Sequence, residues 1–310
     1  MESTQGALEG IDRALTELNR IILGKDETVR LALSCLVAGG HLLIEDIPGV
    51  GKTTLAHAMA RCLGLSYQRI QFTSDLLPAD ILGNAMFDRD RGELVFHPGP
   101  IFAQLVLADE VNRATPKTQS ALLEAMEEQQ VTTEAETRPL PEPFFVIATQ
   151  NPQYQVGTFP LPESQLDRFL MRVHLGYPPH GAERELLAGK DRRKLLQDIE
   201  PVVRATDLSR LRRTVDAMGV APALLDYLQA LARATREHEG LESGLSPRGA
   251  LSLRRAAQAW ALVHHRDVVY PEDVQAVFPA VVAHRVVPVP ERRDSVDSLV
   301  ASILEQTAVP

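Results

Sequence analysis

Lys52 and Thr53 follow a short turn, Asp46-Ile47-Pro48-Gly49-Val50-Gly51, and precede a second hydroxyl, Thr54. A lysine and a hydroxyl directly behind two glycines are the groups that a polyphosphate and its divalent cation need. Gly49 and Gly51 let the backbone curl until its N–H groups face phosphate oxygens. A helix starting at Lys52 adds a favourable dipole. Lys52 would then reach the β- and γ-phosphates of ATP, and the Thr53 hydroxyl would ligate Mg²⁺. The candidate nucleotide-binding residues are Asp46, Pro48, Gly49, Val50, Gly51, Lys52, Thr53 and Thr54. The general phosphate-loop pattern has glycine where Asp46 stands. A plain Pro-Gly turn with a chance Lys-Thr pair behind it would match part of the same stretch.

A second set of groups stands at Asp109-Glu110, directly after the apolar run Leu105-Val106-Leu107-Ala108. Asp109 would hold Mg²⁺ through water, and Glu110 would polarise the attacking water. A third apolar run, Phe144 to Thr149, ends in Gln150-Asn151. Asn151 would sit beside the acids, placed to hold the lytic water or the γ-phosphate. An acidic pair after a strand is common in itself. The order of the three features is what separates this chain from that commonplace.

These side chains need a parallel sheet to gather them. Leu42-Leu43-Ile44 predicts a buried strand before the turn, and Leu55 to Leu65 a helix after it. Ahead of them, Ala7–Ile22 and Glu27–Ala38 show helical spacing, with Asp26 as a cap and Gly39-Gly40 as the stop. Ser66–Phe72 predicts another strand. Ala85-Met86-Phe87 and Glu93-Leu94-Val95-Phe96, split by the charged stretch 88–92, predict a hairpin. Pro116–Glu128 predicts a helix with Thr115 at its cap. Val131-Thr132-Thr133 and 136–140 predict a second small hairpin, and Leu170–Val173 a last strand. Five strands alternating with helices specify an α/β, doubly wound domain.

Beyond Ala182 strand signals vanish and helical patterns continue to Ala308, with starts at Ser246-Pro247 and Tyr270-Pro271. The expected organisation is an α/β nucleotide-binding core over 1–180, with insertions near 83–99 and 130–141. A linker over 181–204 and a smaller all-α domain over 205–310 follow.

With 310 residues and 45% hydrophobic content, the chain is globular. Its 32 basic and 41 acidic residues give a net charge of −9, which argues against a dominant nucleic-acid surface. The Arg-rich spots, 191–194 and 210–213, are flanked by acidic or apolar residues and fit solvated helix faces. Cys35 and Cys62 lie in apolar helical surroundings and are expected as buried thiols, which suits a reducing cytosol. The N-terminal residues do not form a signal peptide. The longest apolar stretch, Leu31–Ile44, is interrupted by Ser34, Gly39, Gly40 and His41 and is too short to span a bilayer. A soluble, cytoplasmic protein without membrane insertion is expected.

Taken together these motifs resemble the MoxR family of AAA+ ATPases, over roughly 23–287. The resemblance rests on IEDIPGVGKT, QFTSDLLPADILG, HPGPIFAQLVLADEVNRATPKTQSALLEAMEE, IATQNP, LPESQLDRF and ATREHEGLESGLSPR. Ser74 replaces a usual proline and Leu245 an expected alanine, and neither removes a chemical group. The resemblance implies an AAA+ P-loop core followed by an all-α lid. It implies that Asn151 is the sensor 1 residue, Arg168 the arginine finger for a neighbouring subunit, and Arg248 the sensor 2 residue. On sequence chemistry alone, Arg168 would be a surface arginine beside Asp167, and Arg248 a helix-start arginine facing water. The hairpin bearing Phe87 and Phe96 resembles the helix 2 insertion, and 131–140 the presensor 1 hairpin; such loops usually face a central pore and touch the client, while Phe87 and Phe96 packing the hairpin on itself is the competing reading.

The function implied is ATP hydrolysis in a homo-oligomer, a hexamer, driving chaperone-like remodelling or maturation of a protein client. The usual partner is a von Willebrand factor A-domain protein. Two other classes compete: a nucleotide-switched binding module with little turnover, and a DNA-directed AAA+ motor. Intact Lys52, Asp109, Glu110, Asn151 and Arg168 argue against the first. Acidity and the absence of an appended basic domain argue against the second. A GTPase lacks support, since no Asn-Lys-x-Asp guanine-reading element is present.

Overall fold

The computed structural model describes residues 2–90, 92–133, 136–151, 157–189, 192–290 and 295–309. Arg91, Asp191 and Pro152, and the side chains of Arg192, Arg193 and Lys194, lie outside the described set. In chain order the elements begin with α1 (Glu2–Ile21), α2 (Asp26–Val37), β1 (Leu42–Glu45), α3 (Lys52–Cys62) and β2 (Tyr67–Gln71). Next come α4 (Pro78–Leu82), β3 (Gly83–Asp88), β4 (Glu93–Pro98), β5 (Leu105–Asp109) and α5 (Pro116–Glu128). The core closes with β6 (Gln130–Thr133), β7 (Glu136–Pro139), β8 (Phe145–Gln150), α6 (Glu163–Leu166) and β9 (Met171–Val173).

The five strands β2-β5-β8-β1-β9 form one sheet in that order, and every pairing in it is parallel. The two-residue period of a strand sorts its apolar side chains onto two faces. Leu42, Ile44, Leu105, Leu107, Phe145 and Ile147 join the cluster that includes residues of α1, α2 and α3. Leu43, Val106, Ala108, Val146 and Ala148 join the opposite cluster with Leu122, Leu123 and Met126 of α5. Both faces are covered, as an all-parallel sheet requires. The carboxyl ends of β1, β5 and β8 therefore meet at one edge, where open α/β sheets bind ligands.

His41, at the entrance to β1, is buried between the two neighbouring elements. Its Nδ1 accepts the Val146 N–H at 3.0 Å, and its Nε2–H donates to Met126 O at 3.2 Å, fixing the tautomer. Burial pushes its pKa down to about 4. The ring ties the last turn of α5 to the sheet.

After β9 come α7 (His180–Ala188), α8 (Arg192–Gln197), α9 (Ala205–Ala217), α10 (Pro222–Glu237), β10 (Leu241–Ser243), α11 (Pro247–Val263), α12 (Pro271–Val282), β11 (Val287–Pro288) and α13 (Val296–Gln306). Ser246 caps α11 as expected, accepting the Gly249 N–H at 3.0 Å. Asp26 is the first residue of α2, and the cap position falls to Lys25. The short antiparallel pair β10–β11, in which Leu241 faces Pro288, was not expected from sequence. Strands of two and three residues are too short to carry a period of two. The stretch expected as a linker holds α7 and α8, with Leu196, Ile199 and Val203 buried. A single apolar cluster runs from α1 through one sheet face to α9–α13, so the helical part shares buried surface with the α/β core. Cys35 and Cys62 are free thiols buried in α2 and α3, and burial pushes Cys62 up to about 12.

Candidate active site

Gly49 and Gly51 adopt φ of +87° and +102°. A Cβ at either would meet nothing within 4 Å, so glycine is needed there for the left-handed backbone and not for space. Gly51 is the N-cap of α3, which aims the helix start at the turn. Lys52 is buried, and its ammonium donates to Asp46 O (2.5 Å), Ile47 O (3.1 Å) and Asn151 Oδ1 (3.2 Å). Burial lowers the Lys52 pKa, opposed by the charges of Asp46, Asp109 and Glu110.

A cleft of about 300 Å³ is lined by Pro48, Gly49, Gly51, Lys52, Thr53, Thr54, Asp109, Glu110 and Asn151. Asp46 and Val50 are not among the lining residues. Val50 packs toward the apolar cluster. Asp46 turns its carboxylate away from the phosphate side. Oδ1 accepts the Ile47 N–H at 2.8 Å, and Oδ2 accepts those of Leu175 (2.7 Å) and Gly176 (2.6 Å). An acid at the head of the loop thus anchors it to the segment leaving β9.

Asp109 and Glu110 are gripped from both neighbouring strands. The Thr149 hydroxyl donates to Asp109 Oδ1 at 2.6 Å and accepts the Glu110 N–H at 2.9 Å. Arg69 in β2 donates to Asp109 Oδ2 at 2.7 Å. Glu110 takes φ 59°, ψ 50°, a left-handed backbone that costs a non-glycine residue on the order of 1–3 kcal/mol. Its Oε1 accepts from Asn151 Nδ2 (3.1 Å); its Oε2 accepts from Gln71 Nε2 (3.1 Å) and Arg113 Nη1 (2.9 Å). Among the described residues no group of three or more His, Cys, Asp or Glu side chains is gathered to hold a metal. A hydroxyl and a carboxylate on one cleft, Thr53 and Asp109, suit Mg²⁺, which takes few protein ligands and completes its shell with phosphate oxygens and water. The donor set therefore fits a nucleotide with its magnesium.

Arg168 and Arg248 are not brought to that cleft. They line a separate cleft of about 200 Å³ with Glu127, Asp167 and Arg285. Arg168 Nε lies 2.9 Å from Glu127 Oε2, and Arg248 Nη2 donates to Glu127 Oε1 at 2.9 Å. Arg285 is almost fully buried. It donates from Nε to Asp167 Oδ1 (2.7 Å), from Nη2 to Phe169 O (2.7 Å) and from Nη1 to Leu170 O (3.0 Å), fixing the loop that carries Arg168.

Residues 41–171 match the ATPase family associated with various cellular activities (AAA), and residues 233–303 match the AAA lid domain. Chaperone MoxR1 of Mycobacterium tuberculosis is 41% identical over 302 residues, spanning 92% of this chain and 80% of that one. The chain belongs to the MoxR family of AAA+ ATPases. The Bacillus subtilis protein YeaC is 43% identical over 97% of this chain and 95% of its own length. A crystal structure from Cytophaga hutchinsonii, of a protein designated an ATPase, superposes with a TM-score of 0.90 at 34% identity, covering 100% of this chain and 97% of that one.

Within this MoxR-family chain, sequence reasoning named every residue lining the cleft around Lys52 but missed those that brace them. Thr149 stood unremarked in IATQNP. Gln71 and Arg69 had a usable signal, since β2 pairs alongside β5 and Gln71 is in register with Asp109. Glu127 gave no signal beyond a charged helix end. Both small hairpins form, β3 with β4 and β6 with β7. Phe87 and Phe96 behave differently, however. Phe87 is 62% exposed, opposite Leu94 at 68%. Phe96 packs edge-on against Phe102, with the Arg138 guanidinium 3.8 Å from its ring centroid. The cross-strand neighbours at the tip are exposed, and the ring nearer the body is not.

Proposed function

We propose that this MoxR-family protein binds ATP with Mg²⁺ and hydrolyses it to ADP and phosphate. The observation carrying this reading is the convergence of Lys52, Thr53, Asp109, Glu110 and Asn151 on one cleft. Lys52, Gly49, Gly51 and the start of α3 hold the phosphates; Thr53 and Asp109 hold the cation, which neutralises charge on the transferring phosphoryl group. Glu110 takes the proton of the attacking water, and Asn151, bonded to both Lys52 and Glu110, orients water and phosphate. Lys52→Ala is expected to weaken ATP affinity by at least about 30-fold, since truncating a buried hydrogen-bonded charge costs roughly 2–5 kcal/mol. Fluorescent-nucleotide titration measures it, and wild-type affinity in this variant would remove the cleft assignment.

The active form is a homo-oligomer, a hexamer, in the cytoplasm. Arg168 and Arg248 lie away from their own cleft, and each completes the site of a neighbouring subunit. No described helix is long and apolar enough to cross a membrane. The work done is chaperone-like remodelling of a protein client, a von Willebrand factor A-domain protein being the partner class. The exposed pair Phe87 and Leu94 contacts that client, with Phe96 and Arg138 joining the two hairpins beneath. Changing Phe87 and Leu94 together to Ser is expected to abolish stimulation of the ATPase by a purified von Willebrand factor A-domain protein. The thermal midpoint should change little, because both positions are exposed. Full stimulation in the double variant would exclude this contact.

A further inference from the structure

Arg168 and Arg248 reach the same carboxylate from different parts of the chain. Arg168 follows α6 in the core, and Arg248 lies in the first turn of α11. Two guanidinium groups that share one carboxylate repel one another. Glu127 stands between them, one oxygen to each, at 2.9 Å in both cases. It grips Arg168 through Nε, the base of the guanidinium fork, so the fork's tip is the part that an incoming phosphate oxygen would meet. The carboxylate itself is well supported. Its helix turn is fastened to the sheet by His41 through Met126 O, and α5 ends beside it at Gln129 in a left-handed conformation. The companion acid, Asp167, is held by Arg285 and lies 3.9 Å from Arg248 Nε. Three arginines and two acids leave the cluster one positive charge in excess.

We propose that Glu127 is a positioning residue for the intersubunit half of the ATP site. Its carboxylate gathers Arg168 and Arg248 into one two-arginine unit that a neighbour's γ-phosphate meets already assembled; this rests on the trans role given to the two arginines above. Preorganisation of this kind carries rate rather than affinity, because misplacing a transition-state group by about 1 Å costs on the order of 100-fold.

The test is steady-state ATP hydrolysis at protein concentrations where a mass measurement shows full assembly. It compares wild type with Glu127→Ala, Glu127→Gln, Arg168→Ala and the double variant Glu127→Ala/Arg168→Ala. Glu127→Ala is expected to lower kcat by about 10- to 100-fold, with KM for ATP and the assembled mass unchanged. Glu127→Gln should fall as well, because a neutral amide neutralises neither guanidinium and can accept from only one of them. The double variant should be slower than Arg168→Ala by less than the full Glu127→Ala factor, since only the positioning of Arg248 is left to lose. Wild-type or faster turnover in Glu127→Ala overturns the proposal, as does a loss that multiplies in full with that of Arg168→Ala. Loss of assembled mass in both Glu127 variants would make the residue structural and also overturn it. Wild-type turnover in assembled Arg168→Ala would sink the trans reading itself, independently of the Glu127 arms.

Discussion

Arg168→Ala is expected to slow ATP hydrolysis by the assembled protein by roughly 10³–10⁵-fold, the range an arginine supplied in trans contributes to phosphoryl transfer. Two further expectations separate this effect from damage to the fold. ATP affinity should stay near wild type, because Arg168 lines a cleft that shares no lining residue with the one around Lys52. Stability should also hold, because the Arg168–Glu127 ion pair is partly exposed and such pairs contribute about 0–1 kcal/mol. The measurement is ATPase rate per subunit against protein concentration, accompanied by mass at each point. A wild-type specific rate that climbs with assembly, with Arg168→Ala slow throughout, places the finger across an interface. A rate indifferent to Arg168 at every assembled state would refute that role and leave a site complete within one subunit as the better account.

The cleft around Lys52 was legible in the sequence because each of its walls is a local pattern. Gly49 and Gly51 mark a turn that only glycine adopts easily, and Asp109, Glu110 and Asn151 each stand where an apolar run stops. Parallel strands bring such ends together without further instruction. The second cluster was not legible as a cluster. Glu127 and Arg248 are 121 positions apart, and neither residue type nor spacing records that a helix end and a lid turn will meet. Family resemblance supplied roles for Arg168 and Arg248 but said nothing of the carboxylate between them. Asp46 is a middle case. Its departure from the glycine pattern was visible, but its reason was not, because the N–H groups it accepts belong to Leu175 and Gly176 beyond the last strand. The two helices inside the stretch expected as a linker, 181–204, were hidden for a related reason. Burial of Leu196, Ile199 and Val203 depends on an apolar cluster shared with α1 and α3.

Helix α5 begins at Pro116, past the turn in which Arg113 contacts the Glu110 side chain, and Glu127 in its last turn holds the two arginines. One helix of 13 residues, about 20 Å long, therefore lies between the turn that follows Glu110 and the arginines proposed for a neighbour. This makes the behaviour of Glu110 the other decisive test.

Glu110→Gln is expected to lower turnover by about 10²–10⁴-fold, the contribution of a positioned general base, and to retain ATP. The side chain keeps its volume, so the cleft should remain shaped for nucleotide. What changes is proton chemistry and the hydrogen bonds on one carboxylate oxygen. The amide cannot take a proton from water. Its NH₂ must also face either Asn151 Nδ2 or the pair Gln71 Nε2 and Arg113 Nη1, all of them donors to the present carboxylate. One contact or two therefore open, depending on which way the amide faces, and the left-handed backbone at 110 loses part of what holds it. Neither change touches Lys52, Thr53 or the glycines, so binding should survive while hydrolysis fails. Quench-flow with labelled ATP and a parallel binding titration separate the two. Trapped, unhydrolysed ATP at wild-type affinity identifies Glu110 as the group that activates water. Unchanged turnover would remove Glu110 from that role. Loss of binding together with turnover would show instead that its contacts with Asn151 and Gln71 shape the cleft.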